Sequence, residues 1–150
     1  MRIYMDVCCF NRPQDDFSIG RNRLEAEAVL SVLHYVQQKI WVLVDSDVID
    51  AELALSPSPE RRTKAESLAA MRSSCVLLAA QHVLPARELA LLGLTDMDAL
   101  HVACAELDKY DVLLTTDDRL LARYRAHSQR IIVHIANPLV WIAEVTVPWN

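Results

Sequence analysis

Four short apolar runs set the frame of this chain: RIYM at 2–5, WVLV at 41–44, DVLLTT at 111–116 and IIVHI at 131–135. Each is short and bounded by polar or turn-forming residues, as a buried strand reads. Segments of helical period lie between them. Leu24, Ala28, Val32, Val36 and Ile40 recur every four residues, flanked by Val29 and Leu33, and predict one amphipathic helix. TDMDALHVACAEL (95–107) predicts another, with Met97, Leu100, Cys104 and Leu107 as its apolar stripe, and DDRLLARYRA (117–126) a third. Strands that alternate with helices need crossover connections, and these produce a parallel sheet covered on both faces. The expected fold is α/β: one three-layer α/β/α domain over residues 1–150 around a central, mainly parallel sheet.

The remaining segments fit between these. NRPQDD (11–16) is turn-like around Pro13, and Ser46 or Asp47 caps a short helix carrying Ile49, Glu52 and Leu53. SPSPE (56–60) breaks the chain before a polar helix reaching about Arg72. CVLLAA (75–80) fits a strand or a buried helix equally. PARELALLG (85–93) predicts a helix closed by Gly93. NPLVWIAEVTVPWN (137–150) reads as a turn and a short helix, with VWIAEV either packed on the core or forming a partner surface.

Composition excludes several functions. At 53% hydrophobic and 23% charged residues the chain carries enough apolar surface for a core. Two glycines rule out a glycine-rich phosphate loop. A net charge of −5 argues against a basic nucleic-acid coat. It leaves nucleic acid open as a substrate, because a bound cation reverses the sign of an acidic pocket. Cys8, Cys9, Cys75 and Cys104 show no CxxC or Cys/His ligand spacing and read as free thiols in a reducing compartment. Asp6 interrupts the apolar start MRIYMDVCCF, so no signal peptide is read there. The expected location is the cytoplasm.

In parallel sheets ligands gather at strand carboxyl ends, near the point where strand order reverses. Asp6 and Asp117 follow strands, Asp98 opens the helix leading into DVLLTT, and Glu52 lies in the short helix after WVLV. Singly, each has a structural explanation: Asp6 an Asx turn, Glu52 a solvated helix residue, Asp98 the acid of a capping box with Thr95, Asp117 or Asp118 a helix cap. Gathered at one end of a sheet, the acids repel each other and call for a cation. An oxygen-only set suits Mg²⁺ or Mn²⁺.

Asp6 after the first strand, Glu52 in SDVIDAEL, DALHVA from Asp98, and TTDDRLL with its T-x-D pattern together resemble PIN-domain ribonucleases, many of which are VapC-type toxins. The likeness runs in order from MRIYMDVCCFNRP to NPLVWI. It implies a PIN-like sheet, a Mg²⁺- or Mn²⁺-dependent endoribonuclease leaving 5′-phosphate and 3′-hydroxyl ends, a separate antitoxin that covers the site, and homodimerisation. It also implies that Asp6 and Asp98 are the main metal ligands, completed by Glu52 and Asp117, with the Thr115 hydroxyl positioning water or phosphate. Thr116 with Asp118 fits the same T-x-D spacing; Thr115 with Asp117 is preferred because Leu120 then takes the apolar place three residues after the acid. The alternative function is an RNA-binding or regulatory PIN-like module without catalysis. A phosphotransfer receiver ranks last, since IIVHIANP lacks the late-strand lysine such domains use.

Other residues carry weaker signals. Arg12 beside Asp6 is read either as a phosphate contact or as a charged turn residue. His101, one turn after Asp98, is expected to be partly exposed and is not assigned as a base. Arg119, Arg123, Arg125 and Arg130 form the most basic tract, either a solvated helix face or contacts to an RNA backbone. Cys8 and Cys9 are expected to pack, and Trp41 and Trp141 to lie in the core or an interface.

Overall fold

The computed structural model describes residues 1–146. Strands β1 (Arg2–Met5), β2 (Val42–Ser46), β3 (Ser74–Val76), β4 (Val112–Leu114) and β5 (His134–Ala136) form one sheet in the order β3-β2-β1-β4-β5. Every pairing is parallel, so the fold is α/β as expected. The helices are α1 (Val7–Asn11), α2 (Gly20–Gln37), α3 (Asp47–Ala54), α4 (Pro59–Ala69), α5 (Ala80–Ala90), α6 (Asp96–Leu107), α7 (Asp118–Ala126) and α8 (Pro138–Thr146), with a short 3₁₀ turn at Arg12–Gln14. The terminal VPWN, part of the expected C-terminal turn and helix, lies outside the described residues.

From β1 the chain steps outward to β2 and β3, then returns to the far side of β1 as β4 and β5. Right-handed crossovers place the helices of the outward path on one face and those of the return on the other. Among the helices α1 meets α2 and α4, α5 packs along α6, α3 also touches α6, and the last helix α8 comes back onto α2. The strand order reverses between β1 and β4, and their carboxyl ends open the crevice where parallel sheets place ligands. Ile3, Tyr4, Met5, Leu113 and Leu114 are fully buried there, so the crevice has a rigid apolar floor.

Several elements differ from their sequence reading. β5 is only His134–Ala136, because β4 offers just three residues to pair with; Ile131 and Val133 are buried ahead of the strand. CVLLAA resolves into the last two residues of β3 and an exposed turn at Leu77 and Leu78. Helix α5 begins five residues before the expected start, with Pro85 inside it. The His82 ring explains the early start: its Nδ1 accepts the Ala79 N–H at 3.0 Å, the reaching-back bond usually supplied by Glu or Gln.

The apolar stripes also shift. Leu24 and Ile40 are exposed, while Ala28, Val29, Val32, Leu33 and Val36 are buried. In α6 the buried residues are Ala99, His101, Val102, Ala103, Cys104 and Ala105, whereas Leu107 is 43% exposed. This helix is covered by the sheet and by α5 at once, and small residues permit both approaches. Trp41 and Trp141 are buried against each other, with ring centroids 4.9 Å apart.

A polar network ties these layers together at Glu25 of α2, which is 1% exposed. Its carboxylate accepts from Arg21 Nε at 2.8 Å and Asn137 Nδ2 at 2.7 Å. Arg12 Nε lies 2.9 Å from the other oxygen, an ion pair without hydrogen-bond alignment. Arg12 continues to Asp15 and Asn22, Asp15 to Arg61 of α4, and Arg21 to Asp118 of α7. Removing one member of a buried ion network leaves the others without compensation. Glu25→Ala is therefore expected to lower the unfolding free energy by about 3 kcal/mol, read as a lower urea midpoint with an unchanged slope.

Candidate metal centre

Asp6 directly follows β1 and is nearly buried, 4% exposed. Its Oδ1 accepts the Val7 N–H at 2.7 Å, capping α1, and its Oδ2 accepts the Thr115 hydroxyl at 2.9 Å. The Cys8 thiol lies 3.4 Å from the same Oδ2 and 3.2 Å from Thr115 Oγ1. Cys8 is therefore more than a packing residue: it sits on the wall of the crevice, and its sulfur also receives the Thr116 N–H. Cys9 is buried, as expected of a packing thiol.

Across the crevice, β4 is followed by Thr115, Thr116 and Asp117. The Asp6 N–H bonds to Leu114 O and the Thr115 N–H to Ala136 O, which locks these loops onto the sheet. Thr115 Oγ1 accepts the Asp117 N–H at 3.1 Å while donating to Asp6. Asp117 caps α7 through the Arg119 N–H at 2.7 Å. Asp118 turns away: it is exposed and forms a bidentate pair with Arg21 at 2.7 Å. Of the two acids of TTDD, Asp117 is the one whose charge acts on Asp98, raising its pKa and disfavouring its ionisation.

Thr95 caps α6, its hydroxyl accepting the Asp98 N–H at 3.1 Å. The Asp98 carboxyl is pushed up to about 6, first by burial and then by the nearby charges of Asp6 and Asp117. Two of the other sequence-derived acids, Asp6 and Asp117, therefore act on Asp98. Glu52 reaches it from α3 through His101: His101 Nε2 lies 2.7 Å from Glu52 Oε2 and 3.7 Å from Asp6 Oδ1.

His101 departs from its sequence reading, which placed it partly in solvent; it is fully buried. Its Nδ1 bonds the Tyr4 hydroxyl at 2.6 Å, and that hydroxyl bonds Ser46 Oγ at 2.7 Å. Burial alone would lower its basicity, yet Glu52, Asp6 and Asp98 outweigh this and raise it. The D-A-L-H spacing held the signal, since a residue three places after Asp98 lies above it on the same helix face. Arg12 is held by Glu25, Asp15 and Asn22 instead of facing the acids.

The donor set fits a hard divalent cation. Among the described residues no Lys or Arg pairs with Asp6, Glu52, Asp98 or Asp117, so His101 is the one basic side chain within ion-pair distance of them. Ligand atoms of Asp6, Glu52 and His101 all lie within 4.8 Å of one another. His101 is the weakest ligand of these, because both ring nitrogens already hold hydrogen bonds. The carboxylates are the natural oxygen donors, with His101 orienting Glu52.

This architecture is PIN-like. It matches a chain in the crystal structure of VapBC2 from Rickettsia felis bound to a DNA fragment from their promoter, with a TM-score of 0.58. The match covers 91% of this chain and 98% of that one at 15% identity, so the likeness is one of fold. No protein-family model and no curated protein matches the sequence.

Asp98 carries a testable pH signature. Its folded-state pKa lies above the ordinary 3.8, so folding favours the protonated form. The contribution of this group to stability is fully present below pH 3.8 and is lost as pH rises through about 6. In chelator, Asp98→Asn is expected to have a Tm close to wild type at pH 3.8 and a higher one above pH 6. Thermal unfolding across this range checks it, and a constant difference would rule out the crowding of charges at Asp98.

Proposed function

We propose that this protein is a divalent-metal-dependent endoribonuclease that hydrolyses RNA phosphodiester bonds, and that it is the toxin of a toxin–antitoxin pair acting in the cytoplasm. The observation that carries this reading is the gathering of Asp6, Glu52 and His101 ligand atoms within 4.8 Å of one another, beside an Asp98 carboxyl raised by burial and by the charges of Asp6 and Asp117, with no Lys or Arg paired to any of the four acids among the described residues. Mg²⁺ or Mn²⁺ held there would supply charge neutralisation at the phosphate and a more acidic water.

The protein's own residues have distinct tasks. Asp6 and Asp98 are the principal ligands, and Asp117 and Glu52 complete the set. Thr115 fixes the Asp6 carboxylate with its hydroxyl proton, and so acts on the site through Asp6. His101 orients Glu52 from behind, with Tyr4 and Ser46 holding the ring. Asp118 and Arg12 frame the crevice from outside through the Glu25 network. That a chain of the same fold was crystallised within VapBC2 supports an antitoxin partner here, and homodimerisation is part of the same reading. No helix among the described residues is long and apolar enough to cross a membrane.

The test is cleavage of a mixed short RNA pool by purified protein, with Mn²⁺ or with EDTA, beside Asp98→Asn. The expected result is cleavage by wild type with metal alone. Equal cleavage by the variant, or cleavage that survives chelation, would overturn the assignment. Tyr4→Phe probes the supporting shell. It removes the hydroxyl that joins His101 to Ser46, and is expected to cost about 1–3 kcal/mol in stability and to weaken Mn²⁺ binding by roughly tenfold, measured by denaturation and calorimetry.

A further inference from the structure

A cleft of about 390 Å³ adjoins the acidic crevice and shares Asp98 with it. Thr95 and Asp98 form one side; Arg119 and Arg123, one helical turn apart on α7, form the other. Both arginines are exposed, and neither has a carboxylate partner among the described residues, in contrast to Arg12, Arg21, Arg61 and Arg72. Arg125 belongs to a different cavity, beside Tyr124 and His134, so the basic tract of the sequence is divided by the helix.

Gly93 shapes this cleft. Its backbone has φ +94°, a conformation that favours glycine, and a side-chain carbon there would stand 3.0 Å from Arg123 Cζ and Nε. The missing side chain leaves the place that the Arg123 guanidinium occupies. A planar cation is thus seated at a defined position beside a cluster of acids, without pairing with them. Guanidinium groups bind phosphate by paired N–H donors, and phosphate contacts set the register of a nucleic-acid strand.

We propose that Arg119 and Arg123 form a subsite for a backbone phosphate of single-stranded RNA, next to the phosphate placed at the acidic crevice. The proposal rests on the ribonuclease reading and adds the direction in which the strand leaves the site, across the start of α7 toward Gly93. An acidic protein can then hold a polyanion: the strand meets positive charge beside the crevice and the metal's charge within it.

The test uses the full chain and a labelled single-stranded RNA drawn from the pool that wild type cleaves. Binding is measured in Ca²⁺ at several salt concentrations, and cleavage in Mn²⁺. The proteins compared are wild type, Arg119→Ala with Arg123→Ala, and the charge-matched control Arg125→Ala with Arg130→Ala. The first pair is expected to raise KM about tenfold or more with little change in kcat, and to flatten the salt dependence by about 0.7 for each lost contact. Mn²⁺ affinity and Tm should stay at wild-type values. If wild type cleaves RNA and the Arg119/Arg123 variant binds and cleaves equally well, the subsite is refuted while the nuclease stands. If the control pair loses as much affinity, the effect is one of general charge, and the subsite is refuted again. Failure of wild type to bind or cleave any RNA would remove the nuclease reading, and this one with it.

Discussion

The repulsion among carboxylates at the β1/β4 crevice is the constraint around which the structure is organised. Asp6, Asp98 and Asp117 are close enough that the latter charge and Asp6 both lift the Asp98 carboxyl, and burial lifts it further. A protein selected only for stability would separate such groups or give them an arginine. Here Arg12 and Arg21 are paired elsewhere. Arg12 and Arg21 converge on Glu25, and Arg21 also takes Asp118 out of the crevice. The acids are left uncompensated, which is the arrangement a cation site needs and a structural ion pair does not.

What holds them is mainly backbone. Asp6 caps α1, Asp117 caps α7, and Asp98 stands in the first turn of α6 behind Thr95. Three helix N-termini thus point partial positive charge at one crevice, which offsets part of the repulsion without adding a mobile cation. Glu52 lacks that support and has a side-chain chain instead, running from Ser46 through Tyr4 and His101. The capping explanation and the metal explanation for these acids are therefore not rivals. Asp117 gives one oxygen to the Arg119 N–H while its charge still reaches Asp98, so the cap does not exclude it from the proposed site.

How much of this was legible in the chain depends on the range of the interaction. β1 and the α/β alternation were readable, because an apolar run and a helical period are local properties; RIYM is β1 to the residue. The meeting of Asp6 with Thr115 of TTDD was readable through topology, since parallel strands must bring their carboxyl ends to one side. Helix faces were less so. The α6 stripe was read from its large residues, but the helix lies between the sheet and α5, where Ala99, Ala103 and Ala105 allow close packing. His101 was misplaced for the same reason: a histidine looks exposed until its two ring nitrogens find Tyr4 and Glu52, both remote in sequence. The early start of α5 was hidden because histidine seldom supplies the reaching-back cap that His82 makes.

The sorting of charge on α7 gives an acidic chain a local basic face beside its acids. Asp117 and Asp118 begin the helix, and arginines follow at 119, 123 and 125. This order favours the helix dipole at both ends, and it also places the sign change along one helix within two residues. Because successive helical positions point in different directions, Asp118 leaves toward Arg21, whereas Arg119 and Arg123 share the face that borders Asp98. A net charge of −5 therefore says little about the field at the crevice. At ordinary ionic strength fields decay over about 8 Å, so the charges that matter to a bound strand are those lining its path. Along that path the acids gather at a single point, and the unpaired arginines stand beside it.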